Sequence, residues 1–246
     1  MEYHVLASGS KGNSVFIYDK DEGVLIDCGI SRKQLLYKLS TLGFKESDID
    51  YVFLTHDHYD HNKSISIFDE DIVFGGEKNA KGKNVLLPYN NYKFGHLDIT
   101  PLSISHDAHT PLAFVIEGYD ETLLYMTDTG YVSQKNQAYI QNLEYYIIES
   151  NHDIQMLMDT NRPIFLKNRI LGDSGHLDNN YSAELMAKVI GDKTKEICLA
   201  HLSQQANTKE KALEAYNKVF NKENIKFNNI KVADQVDIVS GGKHED

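Results

Sequence analysis

The apolar run Tyr51-Val52-Phe53-Leu54 gives way at once to Thr55-His56-Asp57-His58-Tyr59-Asp60-His61. Burying so many polar groups without partners would cost several kcal/mol each, so this stretch cannot be core filler. A strand that opens into a loop at Thr55 points His56 and His58 to one side and carries Asp60 and His61 around the turn. That placement suits two metal ions side by side. Imidazoles and carboxylates in this mixture favour Zn, and admit Mn or Fe where oxygen ligands are more numerous. The competing reading is a polar surface loop that is merely rich in histidine. Convergence of five titratable groups at one strand end weighs against it.

The rest of the chain repeats the pattern of an apolar strand ending in a histidine or an acid. Strands are expected at residues 3–6, 15–18, 24–27, 51–54, 99–105, 112–117, 122–125, 145–148 and 196–200, with a last one over 231–239. Helical spacing is read after Ser31 up to Gly43, and at 62–68, 133–142, 154–159, 181–190 and 209–220. Arg162-Pro163 is taken as a stop for the fourth of these. Residues 71–101 read as a solvated loop with a short strand, in which Lys78, Lys81 and Lys83 form a candidate basic patch. The two glycines and three serines of residues 7–14 read as a hairpin turn.

Candidate ligands follow from the strand ends. His106 directly follows a strand, which fixes its position, and is preferred to His109. Asp128 stands at another strand end, where a carboxylate can bridge two cations. His201 follows the strand at 196–200. Of eleven histidines, His56, His58 and His106 are assigned to a first metal. His61 and His201, with Asp60, are assigned to a second, and Asp128 to both. Asp27 closes an apolar strand, where it either orients a metal-site histidine or caps a helix. Two cations so held lower the pKa of a shared water and neutralise charge on an electrophilic phosphate or carbonyl.

The chain has 246 residues and a formal net charge of −11. A polyanion is repelled at long range by that balance, so binding nucleic acid requires a local basic patch or the metals themselves. Cys28 and Cys198 both sit in apolar runs and read as buried, reduced thiols, which fits a reducing cytoplasm. The first residues lack the basic and long apolar regions of a signal peptide. No window approaches the ~18 apolar residues of a membrane span. With no repeat and no Pro- or Ser-rich linker, residues 1–246 read as one domain. Sequence leaves the oligomeric state open.

His56-x-His58-x-Asp60-His61 resembles the HxHxDH signature of the metallo-β-lactamase superfamily. That resemblance implies an α/β fold, a four-layer αββα sandwich of two mixed sheets with helices on the outer faces and metals at one edge. Residues 6–14, Ser105-His106-Asp107-Ala108, Glu149-Ser150-Asn151-His152-Asp153, Gly175-His176-Leu177 with Asn179, and Ala200-His201-Leu202-Ser203 are most similar to the YycJ/WalJ branch. Asp178 stands where that branch usually has Ser. The branch implies a metal-dependent nuclease of the 5′-to-3′ exonuclease type, with two divalent ions, Zn or Mn, and a phosphodiester substrate. Asp60, His152 and His176 are then the candidate catalytic side chains, the two histidines as phosphate contacts or general acids. A structural role at turns is the other reading for both. Hydrolysis of a small cyclic nucleotide, or of a thioester or lactone, are the alternative activities.

Overall fold

Strands that are apolar at successive positions must be covered on both faces, and the computed structural model supplies that cover with two sheets and outer helices. Residues 1–80 and 82–242 are described; Lys81 of the candidate basic patch and the charged residues 243–246 lie outside them. In the first half, β1 (Glu2–Ala7), β2 (Ser14–Asp19) and β3 (Glu22–Ile26) run antiparallel. The helix α1 (Arg32–Thr41) leads to β4 (Tyr51–Leu54), α2 (Tyr59–Asn62) follows, and β5 (Val73–Gly75) completes a parallel set with β3 and β4.

The second half starts with an antiparallel meander, β6 (Tyr92–Phe94), β7 (Leu97–Ser103), β8 (Leu112–Glu117) and β9 (Thr122–Met126). After it come α3 (Gln134–Tyr139), β10 (Tyr145–Glu149), α4 (Ile154–Asp159), α5 (Ile164–Leu171), α6 (Asn179–Val189), β11 (Glu196–Ala200), α7 (Lys209–Lys222) and β12 (Ile230–Val232). Strands β9 to β12 are parallel. The last strand, β13 (Val239–Gly242), returns to pair antiparallel with β1. Strand orders are β13-β1-β2-β3-β4-β5 and β12-β11-β10-β9-β8-β7-β6, so both sheets are mixed, as the αββα expectation requires.

The period of two along each strand sorts side chains into layers. Val24, Ile26 and Phe53 join Phe114, Tyr125, Ile147 and Cys198 between the sheets. Leu25, Val52 and Leu54 face outward and cover Leu35 and Leu39 of α1. On the other outer face, Leu124, Tyr146 and Leu199 meet Met186 of α6 and Tyr216 of α7. Cys28 and Cys198 lie in different layers, buried and unpaired.

Three local expectations change. The helix at 62–68 is the four-residue α2, starting earlier, followed by a 3-10 turn at Ile65–Ile67. A helix absent from the reading, α5, begins just after Pro163, because proline suits the first turn of a helix as well as the end of one. The strand at 231–239 is two strands in different sheets: Asp234 accepts from the backbone N–H of Val236 (2.9 Å) and Asp237 (3.1 Å), which turns the chain between them. Asp178 caps α6 by accepting from the N–H of Asn180 and Tyr181, a role open equally to Ser.

Candidate metal centre

The strand ends on one edge are shaped by unusual backbone. Asp27, Asp128 and His201 adopt φ of 59°, 56° and 56°, the left-handed region, which costs a non-glycine residue about 1–3 kcal/mol and persists where surroundings enforce it. The histidine loop is clamped from below. Asn13 N–H donates to the Asp60 carbonyl at 2.8 Å and Cys28 N–H to that of His61 at 2.7 Å. Gly29 must be glycine, since a Cβ there would lie 1.6 Å from the Asp60 carbonyl oxygen.

Three imidazoles are held by the same device. His61 donates from Nδ1 to Asp27 at 2.7 Å. His56 donates from Nδ1 to Thr55 Oγ1 at 2.9 Å, and that hydroxyl passes its own proton to Asp27 at 2.9 Å. His201 donates from Nδ1 to Glu149 at 2.9 Å. Anchoring Nδ1 orients each ring and turns Nε2 toward the site; burial would lower His61, but Asp27 and Asp128 raise it well above the ordinary value, so a cation there displaces its Nε2 proton. Asp27 therefore orients a site histidine rather than capping a helix.

The candidate ligand side chains converge. Four groups can each hold a cation, with ligand atoms within 4.8 Å of one another: His56, His58 and His106; His56, His61 and Asp128; Asp60, His61 and His201; and Asp128, Glu149, His176 and His201. Asp128 is central, 3.2 Å from His61 Nε2 and 3.4 Å from His201 Nδ1. His109 enters none of these groups; its N–H donates to Asp57. Among the described residues, eight buried side-chain atoms have no hydrogen-bond partner; His152 Nε2 is one, and His56 Nε2, His106 Nδ1, Asp128 Oδ2 and His201 Nε2 are four more. Buried polar atoms in a folded protein are nearly always paired, so this set fits divalent cations. Burial would raise the Asp128 carboxyl, but His201 and His61 hold it well below the usual carboxylate range. Burial, then the charge of neighbouring His61, keeps His56 neutral and competent to ligate.

Glu149 carries no assigned role in the sequence reading beyond an acid at a strand end, and is the chief omission. It is fully buried and bonds both His201 Nδ1 and His176 Nδ1, the latter at 2.8 Å. Its other oxygen accepts from Thr129 N–H at 3.0 Å and Leu177 N–H at 3.2 Å. Burial alone would lower His176; Glu149 and then Asp128 raise it to about 9. His152 is placed differently. Its ring is 1 % exposed with Nδ1 on Asn151 Oδ1 at 3.3 Å, its carbonyl accepts from Asn179 N–H, and it is in none of the ligand groups.

The opening over these ligands is a cavity of about 140 Å³. His58, Asp60 and His176 line it, and so do Arg162 and Arg169. Lys78 and Lys83 do not; Lys83 lies beside Asp71 at 3.9 Å, on a separate hollow. The Ser8–Asn13 turn also matters more than a hairpin would: Ser8 Oγ accepts from His201 N–H at 2.7 Å, and Asn13 Nδ2 lies 2.9 Å from His61 Nε2. Nothing in residue spacing reveals Ser8, Asn13 or the arginines, because they reach the site only through the fold.

A family description, the metallo-beta-lactamase superfamily, matches residues 7–88. The chain is 33% identical over 228 residues to exodeoxyribonuclease WalJ of Streptococcus pneumoniae, covering 86% of this chain and 85% of that one. It is 34% identical over 229 residues to exodeoxyribonuclease YycJ of Bacillus anthracis, covering 86% of each. Among solved structures, the metallo-beta-lactamase fold protein YhfI of Bacillus subtilis superposes with a TM-score of 0.71, at 18% identity over 98% of this chain and 99% of its own.

Proposed function

Because the chain belongs to the metallo-β-lactamase superfamily, in the branch that contains WalJ and YycJ, we propose that it is a metal-dependent exodeoxyribonuclease that cleaves phosphodiester bonds from a DNA end. The observation that carries the metal half of this reading is the set of buried, partnerless ligand atoms drawn from both halves of the chain. His56, His58 and His106 would hold one divalent cation, and Asp60, His61 and His201 the other, with Asp128 between them. The imidazole-rich first group suits Zn; carboxylates in the second also admit Mn. Such a pair supplies, when bound, a nucleophilic water at neutral pH and positive charge for the phosphate oxygens.

The chain's own groups complete the reaction. Asp60, with its carboxylate part-exposed in the cavity, takes the proton of the attacking water. As the new P–O bond forms, the bond to the leaving oxygen breaks, and His176 Nε2 delivers a proton to that oxygen. Glu149 on Nδ1 keeps the ring oriented and charged. His152 supports the loop through Asn151 and Asn179. DNA is favoured over a small nucleotide by the likeness to two exodeoxyribonucleases, WalJ and YycJ. The opening of about 140 Å³ takes a phosphate group and adjoins a second hollow at Arg162.

The test is a substrate panel on the protein loaded with Zn or Mn: bis(p-nitrophenyl) phosphate, a thioester, a lactone, a cyclic nucleotide, and oligonucleotides blocked at either end. Cleavage of the diester, with DNA shortened only from an unblocked end, is expected. Turnover of the thioester or lactone without the diester, or of cyclic nucleotide without DNA, would overturn the reading. Among the described residues no helix is long and apolar enough to cross a membrane.

A further inference from the structure

The surface outside the metal pocket is not uniform. Arg162 lines two hollows at once: the metal cavity, and a neighbouring open one of about 600 Å³ bounded by Asp159, Thr160, Asn161, Pro163 and Gln205. Arg169, one α5 length further on, lines the metal cavity too. Along α5, Phe165 and Arg169 lie one turn apart, with 166 and 170 to one side of them, while Arg162 precedes the extended Pro163 and reaches the cavity from outside the helix. The structure agrees with this division. Leu166 packs inward and Ile170 is buried at the cavity wall, whereas Phe165 is 71% exposed. Ile170 and both arginines therefore line the metal cavity, and Phe165 stands exposed one helical turn before Arg169.

Neither guanidinium is used up. Arg162 donates from Nε to Gln205 Oε1 at 3.0 Å. Arg169 bonds Asp107 through Nε and Nη2, with its side chain 58% exposed. A fork of five donors leaves N–H groups for a phosphate in each case. In a chain of net charge −11, two arginines lining the same mouth put positive charge where the long-range field does not supply it.

Building on the nuclease reading above, we propose that Arg162, Arg169 and Phe165 form a grip for the unpaired end of the substrate strand: the arginines hold backbone phosphates next to the one being cut, and Phe165 stacks on an adjoining base. The strand leaves the metals across α5 toward the second hollow. Stacking on an aromatic ring tolerates any base, as an exonuclease that digests unselected DNA requires.

The experiment measures kcat and KM on a single-stranded oligonucleotide, with metal content, for the metal-loaded protein and the variants R162Q and F165A. The exposed Lys83 on the separate hollow provides a control, K83Q. R162Q should raise KM roughly tenfold, as for loss of a charged hydrogen bond, and reduce the slope of log KM against log salt by about 0.7. Its kcat should stay within about threefold and its metal content should match the parent. F165A should raise KM for single strands by roughly tenfold, and K83Q should change nothing. If the parent degrades DNA and both R162Q and F165A keep its KM, the grip is wrong and the nuclease reading stands. Loss of metal from R162Q would place that residue in the metal centre and overturn the grip. A parent that hydrolyses a small diester and no DNA removes the nuclease reading and the grip together.

Discussion

Replacing Glu149 by Gln keeps the shape of the side chain and removes its charge, which isolates what that buried carboxylate does. One oxygen accepts from the N–H groups of Thr129 and Leu177, and this pins the amide orientation of the variant. The NH₂ group must then face Nδ1 of both His176 and His201, which are themselves donors. Two donor–donor contacts result. Relief requires His201 to move its proton to Nε2, the nitrogen that ligation needs, so metal affinity should fall by about 10–100-fold. Two charge-assisted hydrogen bonds at about 1.5–3 kcal/mol each, non-additive because they share an acceptor, give a stability loss of ~3 kcal/mol near neutral pH. The two histidines, outweighing a burial effect that would raise it, hold the Glu149 carboxyl down at about 2, against 4.5 ordinarily. A depressed carboxyl contributes stability that is present above 4.5 and lost as pH falls through about 2. The difference between parent and variant in urea unfolding should therefore close over that window. Metal titration and diester hydrolysis read the other effect, and the alkaline limb of the variant's rate profile should lie at lower pH, because His176 loses the charge that raises it. A Glu149→Gln protein with parental metal affinity, parental rate and unchanged stability would refute the reasoning.

Other consequences can be measured separately. His176→Ala should lower kcat by about 10²-fold with metal content retained, whereas His152→Ala should chiefly lower the melting temperature; equal losses of kcat would contradict the division between them. Asp27→Asn removes the charge under His61 Nδ1, and metal affinity by calorimetry should fall about 10–100-fold. Phe53→Ala, in the layer between the sheets beneath the histidine loop, should cost about 3–5 kcal/mol in urea unfolding. Chelation should abolish hydrolysis, and adding metal to 100 times its Kd should stabilise the fold by about 2.7 kcal/mol, visible as a shift of the melting temperature.

What could be read from residues alone was what local pattern encodes. Apolar runs ending in polar clusters marked β4, β9, β10 and β11 together with the side chains at their ends, and the HxHxDH resemblance implied the two covered sheets. Less legible were features that depend on what the fold brings together. Glu149 looks like any acid at a turn until Thr129, His176, Leu177 and His201 are seen around it. Arg162 and Arg169 lie more than a hundred residues from His56 in sequence, with no pattern linking them to it. Pro163 signals a helix end and a helix start with equal force, so α5 was invisible, and Asp234 divided one apparent strand into two because its carboxylate captures two backbone N–H groups.

The pairing of β13 with β1 joins the two extremes of the described chain, Glu2 opposite Gly242. A contact so distant along the chain carries a large loop-closure cost, and the ligand edge likewise draws its histidines and acids from both sides of the midpoint. A nascent polypeptide still emerging from the ribosome thus lacks the complete first sheet and, until His201 is out, the second group of ligands, although His56, His58 and His106 are already present. The groups of the second candidate site therefore come together only once β11, which places His201, has joined its sheet.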